Sequence, residues 1–216
     1  MPQSSIQNWR NRFLINVNPV IRWLTISDFV IIGSSGLLSP IFAVFITDYI
    51  PNSNVQVAGI AITIFLLTKS LAQIPLATII DRIRGERDDF WILFWGSIVM
   101  SIIPIFYIFI QSIAQLYFIQ AINGLVTAAT FPAYMAIFHR HLDKGKEGTE
   151  LGIYYTLTDV SSAATGAIGG SLAYYIGFKW VFIAVSAISL IGTLALLMIR
   201  NKMNSGRWLH CWLIKK

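Results

Sequence analysis

The chain has 216 residues, of which 56% are hydrophobic and only 12% charged, whereas an ordinary soluble domain carries roughly 25% charged residues. A soluble chain of this make-up lacks the polar surface to cover its core, so soluble enzymes and binding modules are excluded and an integral membrane protein is implied. The formal charge of +6 does not point to nucleic acid, because the basic residues gather beside apolar runs rather than forming one patch.

Residues 1–23 form an N-terminal segment. Ile6, Trp9, Phe13, Leu14 and Val17 recur at helical spacing with Arg10 and Arg12 between them. This reads either as a short interfacial helix or as an unstructured tail, and Pro19 ends it in both cases. Six apolar stretches follow, at 24–47, 56–80, 90–111, 115–138, 151–174 and 177–199. A bilayer core of about 30 Å needs roughly 20 apolar residues per helix, and each stretch meets that. A membrane barrel would instead alternate apolar and polar residues over ~10-residue strands, and nothing here does. The expected fold is therefore an all-α integral membrane bundle of six transmembrane helices over 24–199. The first span is too long for a signal-peptide core and no A-x-A site follows it, so it is retained. Residues 200–216 read as a basic tail, in which the run Trp208 to Ile214 is too short to cross. The single Cys211 excludes an intramolecular disulfide framework.

Orientation follows from the basic residues, since positive loops stay in the cytoplasm. Arg10, Arg12 and Arg22 precede the first span, and Arg82, Arg84 and Arg87 lie between the second and third. Arg140, Lys144 and Lys146 lie between the fourth and fifth, and five more fill the tail. Thus 14 of the 16 basic residues share one side. Lys179 alone is opposite, and Lys69 is inside a span. Both termini are expected in the cytoplasm, with the plasma membrane as the location. The basic balance needs only lipid headgroups as partner.

The densest charge cluster is "DRIRGERDD", Asp81 to Asp89, with three arginines and four acids. Together with six spans, both ends inside and very short outer loops, it resembles one half of a major facilitator superfamily transporter. That family's signature after its second helix reads roughly G-x-x-x-D-R/K-x-G-R-R/K. Asp81 and Arg82 match the acidic–basic pair, Ala77 stands at the usual Gly, and Gly85 and Arg87 supply the "G-R" element with one residue inserted. "TGAIGG", Thr165 to Gly170, is similar to the G-P-x-x-G-G element of the family's antiporters, with Gly169 and Gly170 matching and Gly166 at the proline position. "QAINGL" is similar to R-x-x-x-G, with Gly124 matching and Gln120 at the arginine. The resemblance covers about residues 20–200, one six-helix half of a twelve-helix transporter. It implies alternating access, and it implies that Asp81, Arg82, Gly85 and Arg87 form a conformational latch against the other half. A carboxylate at a helix N-terminus is stabilised by roughly 0.3–1 kcal/mol. Topology enforcement by the same arginines is compatible with that role.

Three ionisable residues lie within spans: Asp28, Lys69 and Asp159. Such groups are expensive in hydrocarbon and turn to a partner or a cavity. Lys69 and Asp159 fall at similar depth and pair if their helices adjoin. Alternatively the acids carry protons between two states, or Asp28 merely caps the start of the first helix. Ser35 and Ser39 continue the face of Asp28, and Gln73 lies one turn from Lys69. Asn123, Thr127, Thr130 and Tyr134 share one face of the fourth span. These polar stripes line a cavity, or else hydrogen-bond helix to helix. Gly166, Gly169 and Gly170 are expected to let helices pack closely. Pro40, Pro75, Pro104 and Pro132 are expected to kink the first four spans.

His139 and His141 have no metal-ligand companions, and no Ser–His–Asp set, Walker loop or helical H-E-x-x-H occurs. No enzyme, cofactor or metal is expected. The expectation is a secondary transporter of a small solute, with proton coupling as an option. The alternative is a non-transporting interaction or assembly protein, or a half-transporter fragment. A truncated or frameshifted product, a self-dimer, and pairing with a separately encoded half all remain open.

Overall fold

The computed structural model describes residues 17–82 and 85–200. The expectations for residues 1–16, including most of the interfacial-helix segment, for Arg84, and for the tail from 201 onward lie outside the described residues.

Among them the chain is all-helical: α1 (Pro19–Gly36), α2 (Phe42–Tyr49), α3 (Val55–Arg82), α4 (Glu86–Tyr107), α5 (Ile113–His141), α6 (Glu147–Ile176) and α7 (Phe178–Ala195). After a tighter turn at Leu196, α7 continues helically to Arg200. Four helices are long and apolar enough to cross a membrane: α3, α4, α5 and the extended α7. The helices of the second to sixth expected spans form close to the boundaries read from the sequence.

The first expected span, 24–47, is corrected. It begins earlier, where Asn18 Oδ1 accepts from the Val20 N–H at 2.9 Å and Pro19 occupies the first turn, a position that wastes no donor. It also breaks. Pro40 has no N–H and clashes with the carbonyl one turn back, so the α-helical ladder stops at Gly36. Leu37 N and Leu38 N bond to Ser34 O and Ser35 O at 3.2 and 3.0 Å, a tighter i→i+3 pattern, before α2 starts. Asp28 therefore sits in the middle of α1 and does not cap it. Pro75, Pro104 and Pro132 lie inside α3, α4 and α5, which run on through them.

The helices pack as an arch. α3 lies against α5, α5 against α4, α4 against α7, α7 against α1 and α1 against α6, with α1 also touching α5. α3 and α6 therefore stand at the two ends of the series. One apolar cluster, including Leu24, Phe90, Phe138 and Ile199, fills one end of the bundle, and another, including Phe45, Ile46, Tyr107 and Phe182, fills the other. Between them the contacts are small and polar. Ser27 donates to Gly192 O at 2.7 Å, and Ser101 meets Ser189 at 2.7 Å and Thr193 at 3.1 Å. Lipid tails offer no hydrophobic drive for helix association, so close approach and interhelical hydrogen bonds hold such a middle together. Large apolar side chains such as Leu71, Ile74 and Ile191 are left exposed, as a lipid-facing surface requires.

Candidate translocation face

The seam between α1 and α6 is built on absent side chains. A Cβ on Gly169 would lie 2.2 Å from Leu37 O, and one on Gly36 would lie 2.9 Å from Ser162 O. Ser161 Oγ donates to Phe29 O at 3.0 Å across the same seam. This closeness lets the Tyr154 hydroxyl of α6 donate to Asp28 Oδ2 of α1 at 2.6 Å. Tyr154 in turn packs on Phe138 and Tyr134, with ring centroids 5.2 and 5.7 Å away. Asp28 thus has a neutral partner rather than a cation.

Farther along the seam, at the break in the first span, lies an open hollow of about 430 Å³ bordered by Gly36, Ser39, Asp159, Ser162 and Gly166. Asp159 and Ser39 are exposed there. Ser35 is exposed one turn before Ser39, its hydroxyl turned back to Ile31 O at 3.1 Å. Gly166 lines the hollow, 3.7 Å from Gly36 O by its would-be Cβ. Gly170 is exposed and would meet nothing within 4 Å, so of the three glycines expected to pack, Gly169 does so and Gly170 does not.

On the other side of the arch, α3 and α5 meet at Gly124, where a Cβ would lie 2.6 Å from Phe65 O. Lys69 is half-buried next to this contact, its Nζ 5.2 Å from the Phe131 ring centroid, a cation–π arrangement. Gln73, Asn123 and Thr127 are half-buried as well. The expected Lys69–Asp159 pair does not form. Among the described residues the ion pairs are Arg140–Asp89, His141–Glu86 and Lys146–Asp143, and the helices of Lys69 and Asp159 stand at opposite ends of the arch. Thr130 and Tyr134 are buried in the bundle at 5% and 6% exposure. Thr130 Oγ1 returns to Val126 O at 3.0 Å. Neither one lines an open face here.

The charge cluster after α3 divides in two. Asp81, Arg82 and Arg87 are exposed, and Gly85 precedes α4 in extended backbone. Two of the three acids in the first turn of α4, Glu86 and Asp89, reach the last turn of α5 instead. Asp89, 1% exposed, takes Arg140, and Glu86 Oε1 meets His141 Nε2 at 3.1 Å. Asn18 Nδ2 donates to His141 O at 3.1 Å, tying the start of α1 to the same point. Sequence reading missed this clamp because its partners lie 51 and 55 positions apart. The available signal was acids at one helix start and bases at the end of its antiparallel neighbour, each favoured by the helix dipole. Tyr154 carried no signal of its own, being one of four tyrosines in its helix.

Comparison with known proteins agrees with this architecture. Residues 24–208 match the sequence profile of the Major Facilitator Superfamily. The chain belongs to that superfamily. Over 155 residues, 72% of this chain, it is 26% identical to an uncharacterized MFS-type transporter of Bacillus subtilis (strain 168), of which 91% is covered. Over 161 residues, 70% of this chain, it is 26% identical to an uncharacterized transporter of Schizosaccharomyces pombe, of which only 31% is covered. Facilitator membership and the long apolar helices make this a multi-pass integral membrane protein of a transporter family.

Proposed function

We propose that the chain is the six-crossing half of a secondary transporter that moves a small solute by alternating access. α1 and α2 together make the first crossing, and both termini lie in the cytoplasm, with the plasma membrane as the site of action. A second six-helix bundle facing this one completes the path. The solute path runs along the face shared by α1, α5 and α6, with Ser35, Ser39, Asn123 and Thr127 as lining residues. The exposed end of the charge cluster, Asp81, Arg82 and Arg87, is free to engage the second half as a latch.

The observation that carries this reading is Asp28. It is a carboxylate inside the bundle whose hydrogen-bond partner is the Tyr154 hydroxyl at 2.6 Å. A carboxylate with a neutral partner gains and loses a proton without leaving a buried cation behind. Asp28 is therefore the proposed proton carrier, and Tyr154 holds it in place. Uptake driven by an imposed pH gradient into proteoliposomes tests this. Asp28→Asn is expected to abolish gradient-driven accumulation while leaving solute exchange. Unchanged accumulation in that variant would remove Asp28 from coupling. Absence of any solute flux with the intact protein would favour an interaction or assembly role.

A further inference from the structure

The bundle carries one charge at each end of its arch. On α3, Lys69 lies beside the Gly124 contact with its Nζ over the Phe131 ring. On α6, Asp159 borders the hollow at the break in the first span. α3 and α6 are the two ends of the series, so these residues do not meet within one copy. Among the described residues neither has an ion-pair partner, and nothing donates a hydrogen bond to the Asp159 carboxylate. Charges in such apolar surroundings turn to a partner.

The two charges stand at one height. The Asp89–Arg140 and Glu86–His141 pairs join the start of α4 to the end of α5, which levels the Arg82 end of α3 with the Glu147 end of α6. Lys69 lies about 20 Å from the first end and Asp159 about 18 Å from the second, at roughly 1.5 Å per residue. Side-chain size keeps the same register. α3 and α6 run in opposite directions, so residues before Lys69 match in height those after Asp159. Leu66 and Ile62 of α3 are exposed and large. At the matching heights α6 carries Ala163 and Gly166, which border the hollow with Asp159. Small residues let a facing helix come close, and the hollow gives larger side chains room.

A cation on one edge and an acid level with it on the other make the face self-complementary. A two-fold rotation about the membrane normal turns the α3 edge of one copy to the α6 edge of the next, and the α6 edge to the α3 edge. Both copies then keep the same orientation in the membrane, as identical basic loops require.

We infer that two copies of this bundle face each other, held by two ion pairs in which Lys69 of each copy meets Asp159 of the other. Leu66 and Ile62 of one copy then seat against Ala163 and Gly166 of the other. The inference rests on the transport reading for its purpose, since it names the second bundle, but the association itself needs no solute.

Disulfide cross-linking in membranes tests it. Two differently tagged versions of the full chain are co-expressed in a Cys211→Ser background, one with Leu66→Cys and the other with Ala163→Cys. Oxidation is expected to join the two tags. Ala163→Cys with Ile191→Cys, on α7, is expected to give no product. Asp159→Lys in both versions sets like charges together and is expected to cut the cross-link on the order of tenfold or more. Adding Lys69→Asp to both is expected to restore it. Such rescue has no origin within one copy, where the two residues are at opposite ends of the arch. Absence of the cross-link with the charges unaltered overturns the inference, and so does a cross-link indifferent to charge reversal. Equally strong joining of Leu66→Cys to itself overturns the two-fold arrangement. Should the charge-reversed chain fail to fold, the unaltered charges decide, by a product between Leu66→Cys and Ala163→Cys and none between like positions. Cross-linked copies without solute flux in proteoliposomes would sink the transport reading and keep the pairing. Flux without the cross-link would do the reverse, and a different bundle would face this one.

Discussion

Gly169 and Gly170 are neighbours with unlike surroundings. A methyl at Gly169 would run into the Leu37 carbonyl at 2.2 Å, which is backbone and cannot swing aside, whereas one at Gly170 would meet open space. Gly169→Ala is expected to destabilise by about 1–3 kcal/mol, the usual range for overpacking. Gly170→Ala is expected to be neutral or slightly stabilising, since alanine is the better helix former. Unfolding midpoints of the two variants check both. A four-residue spacing of small residues announces a face, but not which members of a G-G pair touch a neighbour. Glu150 makes a second residue-scale case. It is buried at 3% exposure, with one oxygen accepting from Asp143 N–H at 3.2 Å and the other unpartnered. Burial pushes its carboxyl above the ordinary glutamate range. The folded form thus holds a proton that the unfolded chain releases earlier, and stability falls as pH rises through that window. Glu150→Gln is expected to unfold at higher temperature than the parent at neutral pH. The gap closes in acid, below the unfolded value, where both side chains are neutral.

At the scale of elements, hydropathy located the long helices well because α3, α4, α5 and α7 are apolar over whole membrane-length windows. It joined α1 to α2 because apolar content is blind to a missing N–H. Pro40 was visible in the sequence, yet Pro75, Pro104 and Pro132 looked the same and their helices continue. The α4–α5 clamp is an element-scale property too. Asp89 is nearly sealed while Arg140 is about half exposed, with side-chain exposures of 1% and 46%. Removing the arginine strands a buried carboxylate, so Arg140→Ala is expected to destabilise by about 1–3 kcal/mol. Asp89→Asn combined with Arg140→Ala should lose less than the two singles added together. A double-mutant cycle by chemical unfolding measures that coupling, and a value near zero would mean the pair is incidental.

For the molecule as a whole, the sequence showed which residues are unusual but not which of them meet. Asp28, Lys69 and Asp159 stood out as charges in apolar runs. Their depths suggested a pair, and the order of helices around the arch separates Lys69 from Asp159. Depth along a helix is written in the local sequence, whereas the order of helices depends on contacts between distant segments such as Gly124 with Phe65 and Gly192 with Ser27. If the face between the two sides of the arch is a solute path, water reaches it. Single cysteines at Asn123 and Thr127, in a Cys211→Ser background, are expected to react with a membrane-impermeant thiol reagent in one orientation of vesicles. Cysteine at Leu71, an exposed position on α3 with an apolar side chain, is expected to stay unmodified. Equal protection at all three positions would mean that the face is sealed.

The break at 37–41 has a mechanical meaning as well. α1 is fastened along its length to α6 and α7, while Phe45 and Ile46 of α2 are seated among Val57, Ala61, Tyr107 and Phe182 at the far end of the bundle. Five residues outside the α-helical ladder separate these two anchorages. A continuous helix would transmit any tilt of α1 rigidly into that far cluster. With the joint in place, no continuous backbone ladder carries a tilt of α1 into α2, so the two segments are joined mechanically only at this one pivot.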